Sequence, residues 1–233
     1  MPYRRLPNTD KARIRSLETA IAKIRNSDYY APVLSPELLT NAEKKLQRFR
    51  EAVDRYNKTL ETQVSYSKSE AYQNKLKNAK MYVSHFLTVF NMCVKRGEMK
   101  ATDRKYYSIS ENSGELPDMS SDIAVIRCCE NTIRGEKNRT DKGGIPIYNP
   151  TIAKVAVHYE LFKELYDRQS ELRQLTDEAL MVVSLMRPQV DEVILDVWNS
   201  VENYFSDLSG DKKLKTCREY GLIYYYRTSE KTD

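Results

Sequence analysis

Two histidines could supply imidazole chemistry in this chain of 233 residues, His85 and His158. A carboxylate-bridged di-iron site in a helical bundle needs a glutamate three residues before a histidine, because that spacing puts both ligands on one helix face. Tyr82 and Val155 occupy those positions, so the motif is absent. We interpret each histidine first as a core or boundary residue. The alternative is a small-ligand site in the helical core, where His158 could act as a base beside Glu160.

The four cysteines do not have the spacing of a zinc or redox motif, since no two are separated by two residues. They are Cys93, Cys128, Cys129 and Cys217. Neighbouring residues on a helix point about 100° apart. Cys128 and Cys129 therefore suit neither a shared metal nor a relaxed disulfide. We expect packed, reduced thiols, and no metal or cofactor.

A glycine-containing segment, Asp141-Lys142-Gly143-Gly144, is a candidate for phosphate binding through backbone amides. It lacks the preceding buried strand and the following serine or threonine of a phosphate-binding loop, so a surface turn is the favoured interpretation. We find no catalytic motif elsewhere in the sequence and predict no catalytic residue. Whether the chain is an enzyme stays open, with a non-enzyme favoured.

Basic residues are concentrated at the N-terminus, where residues 1–25 carry the whole net charge of +5. The candidates for partner contact there are Tyr3, Arg4, Arg5, Lys11, Arg13 and Arg15. Such a segment can follow a nucleic-acid backbone. An apolar stripe runs along the same helix, however, and residues 188–211 contain acidic residues but no lysine or arginine. Docking onto that acidic helix or onto another subunit is therefore favoured over nucleic acid, and a membrane surface is disfavoured.

Tyrosine is unusually frequent, with 17 residues against 5 phenylalanines. Tyrosine buries a large area and keeps a polar tip, which suits both core boundaries and protein interfaces. Tyr224, Tyr225 and Tyr226 lie in a segment with the composition of a strand, so alternate rings must point to opposite faces. One face is a candidate interface, unless both faces are covered internally.

Long helices must position these residues. Thr9 and Asp10 suit the start of a first helix, within a basic N-terminal helix and link over residues 1–30. Apolar residues then recur in alternating steps of three and four along 36–66 and 70–96, which is the heptad pattern of helices that pack side by side. Two such helices joined by a short polar link should form an antiparallel hairpin.

The same pattern predicts long helices over 150–187 and 189–208. The first contains the series Leu172, Leu175, Ala179, Val182 and Met186. Proline removes a backbone donor and clashes with the preceding turn, so we favour a corner at Pro188 over a kink in one helix.

An irregular crossover is predicted over residues 97–149, with a short helix that ends near Gly135. Residues 105–110 have the composition of a strand. We predict that they pair with a C-terminal strand at 220–227, because a single strand would leave its backbone groups unpaired. A further short helix is expected after Gly210.

The sequence thus predicts an all-α fold, namely an antiparallel bundle of four long helices with coiled-coil-like packing and a small two-stranded, tyrosine-rich β-ribbon. We expect one helical domain over residues 1–233. The leading functional hypothesis is a non-catalytic interaction or scaffold protein that binds a protein partner or itself. Nucleic-acid binding and small-ligand binding in the core are the alternatives. Free thiols and the absence of a long apolar run favour a cytoplasmic protein without a membrane span.

Overall fold

The computed structural model describes residues 2–26, 32–110 and 114–226. Helices account for 76% of these residues, and two short strands form an antiparallel sheet. The mainly helical fold with a small two-stranded sheet is therefore confirmed. Most of the link predicted to follow the first helix, and the last residue of the predicted C-terminal strand, lie outside the described residues.

The elements follow one another in simple order. They are β1 (Tyr3–Arg4), α1 (Asp10–Arg25), α2 (Pro36–Lys68), α3 (Glu70–Lys95), a 3-10 helix (Ala101–Tyr107), α4 (Asp122–Asp141), α5 (Ile152–Tyr204), α6 (Gly210–Glu219) and β2 (Tyr224–Tyr225). Side chains of Thr9, Ser69 and Ser121 cap α1, α3 and α4 by accepting a hydrogen bond from a first-turn amide, which satisfies a donor that the helix itself leaves unpaired.

Contacts divide the chain into two compact units. Unit 1 comprises residues 1–60 and 175–233, and unit 2 comprises residues 61–174. Each unit has its own apolar core, built around Phe49 and Trp198 in unit 1 and around Phe86 and Phe162 in unit 2. The single domain and the coiled-coil-like packing stay predictions.

The predicted apolar seams of the first two long helices are confirmed. Ala42, Leu46, Phe49 and Val53 are buried on α2. On α3 the buried members of the predicted series are Tyr72, Ala79, Val83, Phe86, Phe90 and Cys93. A seam in alternating steps of three and four keeps one face of a helix against the core.

The corner predicted at Pro188 is wrong, because α5 continues through this residue. The two helices predicted at 150–187 and 189–208 are therefore one. Val183 and Val190 are both fully buried on either side of the proline, and their spacing of seven keeps one face of the helix toward the core. This packing offsets the missing amide hydrogen bond of Pro188. The seam also lies one residue away from the predicted one, since Leu175 and Val182 are exposed.

Two predictions for the crossover are also wrong. Residues 101–107 form the 3-10 helix in place of the strand predicted at 105–110. Arg104 and Tyr107 are buried three residues apart, which is the spacing of one 3-10 turn. The C-terminal strand pairs instead with β1, with Tyr3 opposite Tyr225. Finally, α4 passes Gly135 and ends at Asp141.

Candidate functional site

The two histidines lie in unit 2 but do not form a ligand site together with a carboxylate. His85 is exposed on α3, outside the core that the ligand hypothesis requires. The ring of His158 on α5 stacks on Tyr82 at 4.0 Å. Burial lowers the pKa of His158, and the nearby charges of Lys154 and Lys75 lower it further, so this side chain is neutral near pH 7. Among the described residues, no group of three or more metal-ligating side chains is close enough to hold a metal.

All four cysteines are free and buried, as predicted. Burial raises the pKa of Cys128 to about 11 and that of Cys129 to about 12. Burial also raises the pKa values of Cys93 and Cys217. Because the thiolate is the nucleophile of cysteine chemistry, these side chains have the properties of core residues.

We therefore expect the native thiols to react very slowly with a disulfide reagent at about pH 8. A thiol with a pKa of about 11 is ionised to roughly one part in a thousand there. Titration with dithionitrobenzoate should detect essentially no thiol in the folded protein and four thiols in guanidinium chloride. Rapid reaction of one thiol in the folded protein would identify an accessible, activated cysteine and contradict this interpretation.

The glycine segment after α4 is a helix-ending turn. The amide of Gly143 donates to the carbonyl of Thr140 at 2.9 Å, and the amide of Gly144 donates to the carbonyl of Arg139 at 3.0 Å. Gly143 has a φ of +88°, the left-handed conformation that commonly ends a helix. Both amides are thus engaged with carbonyls at the end of α4, which favours the turn over a phosphate-binding loop.

The high tyrosine content has a structural explanation in a recurring contact between a tyrosine hydroxyl and a carboxylate on another element. The hydroxyl–carboxylate distances are 2.6 Å for Tyr72–Asp122, 2.8 Å for Tyr159–Glu130 and 2.6 Å for Tyr224–Glu202. In a fourth pair, Tyr107 donates to Glu136. Burial raises the pKa of each of these four tyrosines, and the carboxylate raises it further, so they remain neutral donors.

The N-terminal bases are brought together with acids of α5 in unit 1. Arg13 forms two parallel hydrogen bonds with Asp191, at 2.8 and 2.9 Å. Arg4 lies 3.3 Å from Glu202 and donates to Asn199. Lys11 and Arg15 are exposed on α1. The docking interpretation thus accounts for two of the predicted nucleic-acid contacts, while Arg5 lies over the ring of Tyr225.

The C-terminal tyrosines are divided between the two sides of the ribbon. Tyr224 is partly buried and bonded to Glu202. Tyr225 and Tyr226 are each 44% exposed, and Tyr225 contacts the ring of Tyr3 with a centroid distance of 6.2 Å. One side therefore packs internally while the other stays accessible.

A cluster of large apolar side chains is exposed on α5 in unit 1. The exposed fractions are 46% for Leu175, 60% for Met181, 50% for Val182 and 67% for Leu185. We call these four residues the α5 patch. Their positions fall within about one third of the helix circumference, so they form a continuous stripe. Isolated surface leucines need no explanation, whereas a contiguous apolar stripe is typical of an interaction site.

A groove of about 410 Å³ adjoins the α5 patch and has basic and acidic residues at its edges. Val182, Ala179 and Met186 line it from α5, and Arg48 and Arg55 line it from α2. Both arginines are exposed, and neither has an ion pair with another described residue. The groove thus continues the apolar stripe and ends at unpaired positive charge.

Comparison with protein-family models, with curated proteins and with solved structures finds no match to this chain. Within the described residues, none of the helices has the length and apolar character needed to cross a membrane.

The sequence contains a signal for the α5 patch, although heptad spacing alone assigns it to the core. That spacing predicts that Leu175 and Val182 are buried, whereas the adjacent Thr176 and Val183 are the buried residues. A second apolar stripe therefore lies beside the true seam. Two apolar stripes on one helix indicate an additional packing surface.

Proposed function

We propose that this chain is a non-catalytic interaction protein that associates with a second copy of itself through the α5 patch and the adjoining groove. The exposure of four large apolar side chains in one stripe carries this proposal. Removing such a stripe from water stabilises a complex by roughly 25 cal/mol per Å² of apolar surface. A scaffold role follows naturally, because a dimer presents two copies of every other surface.

Charge on the two edges of the surface favours a second copy as the partner. Arg48 and Arg55 lie on the α2 edge. Asp177 lies two residues before the groove residue Ala179, and so about 160° around α5 from it, on the opposite edge. When two copies meet about a two-fold axis parallel to α5, the basic edge of each copy faces the acidic edge of the other. Such a self-complementary surface is what a symmetric dimer requires.

The interface must extend beyond the α5 patch. A stable dimer buries about 800 Å² on each partner, which is more than four partly exposed side chains supply. The groove residues of α2 have to contribute the remainder, and this explains why the proposal includes both helices. Arginine is favoured at such interfaces because its stem packs while its guanidinium forms bidentate bonds.

Val182→Glu should weaken the dimer about 30-fold or more, the effect of losing a central interface residue worth about 2 kcal/mol. Light scattering after size-exclusion chromatography, over a range of protein concentrations, measures this change. Val157→Glu is the matched control, since Val157 lies on the same helix in unit 2 with 57% of its side chain exposed. A monomeric parent chain, or equal weakening by both variants, would contradict the proposal.

A charge swap tests the orientation of the two copies. Arg55→Glu should weaken self-association, and adding Asp177→Lys should restore it, because the exchanged charges again face each other across the dimer. If the double variant is weaker than Arg55→Glu alone, the two edges do not meet.

The proposal extends to the compartment, which we expect to be the cytoplasm. This expectation is supported by the four free cysteines, since compartments with reducing conditions keep thiols unpaired.

A further inference from the structure

A second surface, in unit 2, has the features of a small-molecule site. A cavity of about 440 Å³ opens at the N-terminus of α4, between the end of α2 and the middle of α5. We call it the α4 cavity. Its volume is in the range of small-ligand sites. It does not involve the α5 patch, so the inference drawn from it is independent of self-association.

The side chain of Gln169 is the observation that points to a ligand. Gln169 lines the α4 cavity and is only 6% exposed, yet its amide oxygen has no hydrogen-bond partner among the described residues. Buried polar atoms in folded proteins are almost always paired, because an unpaired acceptor loses its hydration without compensation. A rotation about the last side-chain bond exchanges the oxygen and nitrogen positions, so the amide can present either atom to the cavity.

Positive electrostatic character comes from two further features. Arg173 lies one helical turn after Gln169 on the same face of α5 and lines the cavity. It is exposed and has no ion pair with another described residue. The N-terminus of α4 contributes amide groups with a partial positive charge. The cap Ser121 satisfies the amide of Ala124, which leaves the amides of Asp122 and Ile123 without a partner among the described hydrogen bonds.

A negative group lies in the same cavity. One carboxylate oxygen of Asp122 accepts a hydrogen bond from the hydroxyl of Tyr72 at 2.6 Å, and the other oxygen remains able to accept. A ligand with a doubly charged phosphate would be repelled by this carboxylate, and a simple cation would be repelled by Arg173. The cavity therefore favours a molecule that carries both charges.

We propose that the α4 cavity binds a small zwitterion of the free amino-acid class. Its carboxylate pairs with Arg173 and the α4 amides, and its ammonium donates to Asp122 and to the amide oxygen of Gln169. Charge-assisted hydrogen bonds of this kind supply most of the specificity of small polar ligands.

The test is thermal unfolding of the full chain with each of the twenty L-amino acids in turn. Acetate, inorganic phosphate and methylammonium serve as probes that carry one kind of charge. At least one amino acid should raise the melting temperature in a saturable manner, because a ligand that binds only the folded state stabilises it. The single-charge probes should give smaller rises.

Two variants and a control locate the effect. Arg173→Gln should weaken binding about 10- to 100-fold, the range for losing a charged hydrogen bond. Gln169→Leu should weaken it as well, while the free variant melts at the same or a higher temperature, since an unpaired buried acceptor has been removed. Arg168→Gln is the control, because Arg168 lies on the same helix but pairs with Glu171 at the surface.

Three results would overturn the proposal. The first is that none of the amino acids raises the melting temperature. The second is that phosphate or methylammonium gives an equal rise, which would indicate a site for one charge only. The third is that the rise is unchanged in both Arg173→Gln and Gln169→Leu, which would place binding elsewhere.

Discussion

Glu136→Gln is expected to lower the free energy of unfolding by about 3–5 kcal/mol, the usual cost of breaking a buried ion pair by removing one partner. Glu136 and Arg139 are 2% and 3% exposed, and their charged groups lie 2.9 Å apart. The glutamine keeps the shape of the side chain but removes its charge. The guanidinium of Arg139 would then be buried without a counter-charge, which is the source of the loss.

The surrounding network makes this ion pair more consequential than its distance alone suggests. Arg139 donates to the hydroxyl of Tyr107 at 2.7 Å and to the carbonyl of Ile145 at 2.7 Å. Glu136 accepts from the amide of Ile147. The pair therefore joins α4 to the 3-10 helix and to the segment before α5, so its loss should loosen three parts of unit 2 together.

Urea unfolding followed by circular dichroism measures the change. Glu171→Gln is the matched control, because Glu171 pairs with Arg168 at the same three-residue spacing but with both side chains more than half exposed. That variant should stay within about 0.5 kcal/mol of the parent. The double variant Glu136→Met with Arg139→Met should recover part of the loss, since an apolar pair leaves no buried charge. A loss below about 1 kcal/mol for Glu136→Gln would show that water reaches the pair.

The seams of α2 and α3 were predictable because a single apolar stripe on a polar helix has one way to face the core. Phe49 and Val53 on α2, and Phe86 and Phe90 on α3, are buried as their spacing indicates. On α5 the choice is ambiguous, because Val182 and Val183 are both apolar and adjacent. The core of unit 1 selects Val183, and nothing in the local sequence distinguishes the two registers.

Helix ends were less predictable where packing overrides local preference. Pro188 and Gly135 are both unfavourable inside a helix, so local preference predicts a corner at the first and an end near the second. Both lie within continuous helices instead. Most helical stability in proteins comes from tertiary contacts of one face, and those contacts are not visible in a short stretch of sequence.

The features of the candidate sites were largely invisible to sequence analysis, for a related reason. A tyrosine–carboxylate pair such as Tyr72 and Asp122 joins residues 50 positions apart, so its identification requires knowing which elements touch. Gln169 is a polar residue on a helix and has no unusual spacing. Only the packing around it shows that it is buried and unpaired. Charge was the more readable property, since the pairing of N-terminal bases with acids of α5 followed from its distribution.

Gly135→Ala is expected to lower the free energy of unfolding by about 3 kcal/mol, at the upper end of the cost of overpacking. A methyl group at Gly135 would lie 2.1 Å from the carbonyl oxygen of Tyr106 and 3.2 Å from the ring of Tyr107. The oxygen belongs to the backbone of the 3-10 helix, so it cannot move aside as the end of a side chain can. Separating the two helices would disturb the buried bond between Tyr107 and Glu136 as well.

The direction of this effect is informative because an ordinary helical glycine behaves in the opposite way. Alanine is favoured over glycine within a helix by about 1 kcal/mol, so a glycine without close neighbours should gain stability on substitution. At Gly210, the first residue of α6, an added methyl group would meet no neighbouring atom within 4 Å. Gly210→Ala should therefore leave the stability unchanged or raise it slightly, measured in the same urea titration. Equal stability of Gly135→Ala and the parent would mean that α4 and the 3-10 helix do not pack so closely, and the close approach would then no longer explain why α4 contains a glycine.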